Sequence, residues 1–109
     1  MNDAMTTTAF SIDGYRTVKT LGVVRGIAFR NWSIFGSIGA AIQGFAGGNV
    51  SVYTELCEKA RADAFRHMVQ HAEALGANGS IGVRYDATAL SQGITEVLCY
   101  GTAVVVEPV

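Results

Sequence analysis

Proline occurs once in this 109-residue chain, cysteine twice, and charged residues make up only 16% of it. With half of the residues apolar, so little charge does not describe a disordered chain. It also points to a surface partly covered by other subunits. The eight basic residues form no run, and nine acidic ones bring the formal net charge to −1. Phosphate contacts dominate nucleic-acid affinity and require a basic stripe, so no nucleic-acid partner is expected. Cys57 and Cys99 make neither a CxxC pair nor a framework of bridges, which suits a reducing compartment. The first residues carry neither a basic stretch nor a long apolar run, so the expected location is cytoplasmic.

Signatures of nucleotide binding and hydrolysis are missing as well. There is no GxxxxGK, no GxGxxG after a strand and no GxSxG. Serine, histidine and aspartate are present, but nothing orders them into a triad. The longest uncharged stretch, "NWSIFGSIGAAIQGFAGG" from Asn31 to Gly48, is long enough to raise the question of a membrane span. Glycine and alanine dominate it, and Asn, Ser and Gln interrupt it. Gly36, Ala40 and Gly44 give the small-residue spacing of close helix contacts, which soluble helices share. No membrane partner is expected.

What remains reads as one domain, residues 7–109, after a flexible N-terminus of residues 1–6. "TTTAFSIDGY" suggests a short extended segment and a turn at Asp13-Gly14. "YRTVKTLGVVRGIAF" reads as a strand from Tyr15 to about Phe29, with Gly22 and Gly26 marking bulges or close approaches. A short helix from Asn31 or Ser33 towards Phe45 would need packing to hold its glycines. Ser51 is placed to cap a long helix that runs to Leu75 and stops at Gly76. "SIGVRYDAT" and "ITEVLCYGTAVVVE" are the last two strands, the second ended by Pro108. This order is α+β: a small antiparallel sheet packed against one long and one short helix.

On the long helix, the 3.6-residue period gathers Tyr53, Leu56, Cys57, Ala60, Ala64, Met68, Ala72 and Leu75 on the side that should meet the sheet. Arg61 falls inside that apolar sector. A buried guanidinium needs a partner, and Asp86, Glu96 or a neighbouring subunit's carboxylate could supply it. Arginine also suits bidentate recognition of a carboxylate or phosphate. Asp63, His67 and His71 follow one another at intervals of four and can point the same way. Two imidazoles and a carboxylate could hold zinc or another divalent metal ion. The glutamate of an HExxH helix is absent, since Met68 follows His67. The same spacing also fits a wet helix flank, with His71 bonded to a backbone carbonyl.

"GYRTVKTLGVVRG", the "GG" before "VYTELCEKARADAFRHM", "ALGANGSIGVRYD" and "EVLCYGTAVVVE" together resemble the YbjQ, or UPF0145, family over about Thr7 to Glu107. That family has carried a heavy-metal-binding label and no settled activity. The resemblance implies a homopentamer that hides its sheet edges between subunits. Gly22, Gly26, Gly47, Gly48, Tyr53, Ala60, Arg61, Met68, Gly76, Ala77, Asn78, Gly101 and Thr102 match its landmarks. Asn49-Val50 stands where Arg-Ser often follows the glycine pair, and Gly79-Ser80 where Ala-Val is usual. His67 and His71 match no metal motif of the family. A subunit contact is the expected reason for Gly101. Tyr53, Arg61 and Asn78 are the candidates to line a small ligand pocket between subunits. Three readings follow: a non-enzymatic homo-oligomer with a small-ligand or structural role; a metal-binding or metal-sensing module on Asp63, His67 and His71; and an enzyme with an inter-subunit anion site at Arg61.

Overall fold

The computed structural model describes residues 1–31, 50–91 and 93–109. Three strands and one long helix make up its frame: β1 (Tyr15–Asn31), α1 (Val50–Ala74), β2 (Gly79–Ser91) and β3 (Ile94–Pro108). The sheet is antiparallel throughout, in the order β1-β3-β2, so the C-terminal strand is central. The expected short helix lies outside the described residues, apart from Asn31, which ends β1.

The N-terminal stretch expected as an extended segment is no full strand. A 3-10 turn over Asp3–Met5 precedes one parallel bridge, Thr6 to Ser80. Thr7 N–H then donates to the Ser80 carbonyl, and the amides of Gly82 and Val83 donate to Ala9 and Thr7. These bonds need a distortion in β2. Opposite Gly101, the register jumps from Ile81 to Arg84, so two residues of β2 face one of β3. The close approach at Gly101 therefore comes from β2 of the same chain: an added Cβ would lie 3.0 Å from the Ile81 carbonyl oxygen. β1 also shifts register twice, the second time between Thr20 and Gly22, as the glycine there suggested.

Helix α1 crosses one face of the sheet. Ala60, Ala64, Met68 and Ala72, spaced by four, are buried against Val24 and Ala28 of β1 and Val97, Cys99 and Ala103 of β3. The buried stripe is narrower than the periodicity suggests, and Leu75 is exposed. Small residues at the contact let the helix backbone descend onto the sheet. Gly26 sets the depth: a Cβ there would run into the Ala64 carbonyl oxygen and the Met68 amide nitrogen.

The helix already includes Ser51 in its first turn, since it starts at Val50. It ends as the glycine implies. Gly76 takes φ +89°, its N–H reaches the Glu73 carbonyl, and the Ala77 N–H reaches the Ala72 carbonyl. These two bonds form a Schellman stop. Asn78 follows with a side chain that imitates a peptide group. Its Oδ1 accepts from Val106 N–H at 2.8 Å, and its Nδ2 donates to the Val106 carbonyl at 2.9 Å.

Among the described residues, the other face of the sheet is covered at one end only. There Ile12 and Met5 of the N-terminal segment pack on Val104, Val106 and Ile81. At the opposite end, Val23, Ile27 and Phe29 stand 68%, 40% and 62% exposed.

Candidate functional site

Strand order decides the fate of the two histidines. β1 lies at an end of the sheet, so one side of its backbone has no neighbouring strand among the described residues. His67 and His71 lean over that side. The Arg25 N–H donates to His71 Nδ1 at 3.2 Å, and His67 Nδ1 lies 2.9 Å from the Ile27 carbonyl oxygen. A carbonyl only accepts, so His67 carries its proton on Nδ1. An amide only donates, so neutral His71 carries its proton on Nε2. The pair thus adopts opposite tautomers and does for the strand edge what another strand would do.

This arrangement fits a metal poorly. His67 keeps a free lone pair on Nε2. His71 has its proton on the nitrogen that faces away from the strand, and moving that proton to Nδ1 would break the bond from Arg25. Asp63, the third candidate, lies 3.4 Å from Lys59 and 3.4 Å from Arg66 along the helix. Among the described residues, no three His, Cys, Asp or Glu side chains converge on a point where an ion could sit. The residues present do not match a zinc-type donor set.

The ligand candidates are likewise dispersed. Asn78 is bonded to Val106, at the far end of β3. Arg61 borders a cleft floored by Val97, nine residues earlier on that strand, roughly 30 Å away at the rise of an extended chain. Tyr53 is half-buried near the start of α1. The Arg61 side chain is 51% exposed and lies 3.5 Å from Glu58 one turn earlier, so it is neither buried nor paired with Asp86 or Glu96.

What the structure does assemble around Arg61 is a cleft of about 220 Å³ lined by Arg30, Arg61, Tyr85, Asp86, Ala87 and Val97. It exists because α1 lies over β1 and β3 and only touches β2. The outer half of β2, from Arg84 onwards, is exposed. Arg30 is two residues beyond Ala28 and so faces the helix, where its Nη1 lies 2.8 Å from Cys57 Sγ. Tyr85 pairs across the sheet with Cys99. Burial, then the neighbouring Cys99 thiol, pushes the Tyr85 phenol above its ordinary range, against an opposing pull from Arg61. Burial likewise pushes the Cys99 thiol up, and that sulfur sits 3.7 Å from Met68 Sδ in the core. Arg30 and Tyr85 did not stand out in the sequence. The available signal was parity: Arg30 continues the series Val24, Gly26, Ala28, and Tyr85 continues Val83.

Comparison with known proteins identifies the family. The YbjQ family model, described as "Putative heavy-metal-binding", matches residues 4–107. A UPF0145 protein of Solibacter usitatus is 55% identical over 102 residues, which cover 94% of this chain and 91% of its own. Another, from Chromobacterium violaceum, is 55% identical over 104 residues, covering 95% and 89%. The crystal structure of a DUF74-family protein from Pediococcus pentosaceus superposes with a TM-score of 0.56 at 17% identity, over 97% of this chain and 100% of that one. At that identity the likeness is one of fold. Among the described residues, no helix is long and apolar enough to cross a membrane.

Proposed function

This chain belongs to the UPF0145, or YbjQ, family, and from that premise we propose that it is a non-enzymatic subunit which closes with copies of itself. Five copies is the number that the family resemblance implies. The observation that carries the reading is the sheet face that no described element covers, where Val23, Ile27 and Phe29 stand exposed. Register aligns Ile27 with Leu98 and Asp86, Arg25 with Tyr100 and Arg84, and Phe29 with Glu96 and Thr88. An apolar centre flanked by charges of both signs is the composition of an interface core and rim.

Shape supports the same reading. The radius of gyration is 17.1 Å, against about 13 Å for a compact domain of this length. The subunit measures 55 × 24 × 17 Å, and its longest β segments extend past the helix. A ring of copies would bury both the open face and the outer half of β2.

Native mass spectrometry of protein purified without chelator tests this. A pentamer is expected, reduced to monomer by the pair Ile27→Glu and Phe29→Glu with the helical circular dichroism signal retained. A wild-type monomer at working concentration would overturn the reading. The same spectrum, repeated after mild chelation, examines the heavy-metal label. One metal mass per subunit, lost with the chelator, would move the function to metal binding.

A further inference from the structure

We propose that the cleft between α1 and the outer half of β2 is a binding site for a small oxyanion, a carboxylate or phosphate group, held by Arg61, Arg30 and the Tyr85 hydroxyl. This goes beyond the assembly reading and does not depend on it. At about 220 Å³, the cleft is smaller than the usual pocket for a drug-sized ligand and suits a small ion.

Among the described residues that line it, Arg30 and Arg61 carry positive charge and Asp86 negative charge. Asp86 Oδ1 accepts from the neighbouring Ala87 N–H at 2.8 Å, and strand alternation puts its side chain on the face shared with Leu98 and Ile27, away from the helix. Arg30 is part-buried and anchored on Cys57, so its planar fork is held in place before any ligand arrives. Arg61 is the adjustable donor. Its contact with Glu58 spans 3.5 Å between side chains 51% and 70% exposed, and such a pair holds weakly against water. An entering oxyanion can replace Glu58 with a bidentate bond. The Tyr85 phenol is held in its protonated form by burial and by the Cys99 thiol it is hydrogen-bonded to, and it donates a third bond by turning from that thiol to the ligand. Val97 and Ala87 contribute an apolar floor that would accept a short alkyl group.

The test is an amide NMR titration of the full chain with sodium phosphate and with sodium acetate, each against sodium chloride at matched ionic strength. Saturable shifts are expected at Tyr85, Asp86 and Ala87. Arg61→Gln should weaken binding about tenfold, the scale of one lost charge-assisted hydrogen bond. Tyr85→Phe should weaken it by less. Both side chains are substantially exposed, so the variants should keep the melting temperature. Tighter acetate binding identifies a carboxylate as the ligand, and tighter phosphate binding a tetrahedral ion; either supports the site. Shifts that match chloride, or that survive in the double variant, overturn it. If no anion saturates the wild type while Arg61→Gln dissociates the assembly, the cleft receives a carboxylate from another copy and the proposal fails.

Discussion

The two faces of β1 are made of similar residues and meet opposite fates. Val24, Gly26 and Ala28 are buried under the helix, while Val23, Ile27 and Phe29 stand in solvent. The larger apolar side chains are on the open side. A strand that fronted water on one face would alternate apolar with polar, and this one does not. The covered face is built for depth, with small residues that admit a helix backbone. The open face is built for area, with large side chains that stand exposed and have no element packed on them among the described residues. A strand apolar on both sides expects two coverings, and the described residues provide one.

That contrast can be broken most severely at Gly26. Gly26→Ala should cost about 3 kcal/mol, at the upper end of overpacking penalties, because the obstacle is helix backbone and not a side chain that can turn away. Urea unfolding would show it as a lower midpoint, and an unchanged midpoint would refute the idea that backbone contact sets the covered face. Next comes the strand edge. His71→Ala removes the acceptor for Arg25 N–H and should cost about 1 kcal/mol. Faster hydrogen exchange confined to the Arg25 amide region is the signature.

Alkaline pH acts on the covered face through Cys99 and Tyr85. Folding holds the Cys99 proton more tightly than the unfolded chain does. Above about pH 8.5, the ordinary thiol range, the unfolded chain releases its proton first. Stability is therefore complete below that pH and declines as pH rises through the folded thiol's own, higher value. Tyr85 adds a loss of the same sign further up. Melting temperatures from neutral to alkaline pH should fall, and Cys99→Ala should flatten the first part of the decline. The smallest effect belongs to the open face. Val23→Ser, at 68% exposure, should leave subunit stability within about 0.5 kcal/mol. Its consequence should appear in the association constant instead, read by analytical ultracentrifugation.

Much of this contrast was legible in the residues and some was not. The stripe Ala60, Ala64, Met68 and Ala72 follows from a period of 3.6, and Gly26 from the need for a close approach. The helix stop at Gly76 and the antiparallel sheet follow as directly. The histidines show the limit. Spacing by four says that His67 and His71 share a side, but what that side meets depends on β1 being at the end of the sheet. Strand order is a property of long-range pairing and leaves no local trace. Tyr85 shows the same limit: alternation places it on the helix side, yet the helix runs over β1 and β3 and leaves it half open. Gly101 admits a distorted stretch of its own sheet, and a bulge in β2 cannot be read from β3. The site around Arg61 joins residues of four separate elements, so no motif could announce it.

The histidine pair also bears on how large an assembly can become. An unguarded strand edge adds further strands without limit, and subunits joined in that way lengthen into fibres. Along Arg25 to Ile27 the exit is shut by two imidazole rings. Pairing with a further strand along that stretch would first have to displace both rings, so the seal works against growth by strand addition at this edge.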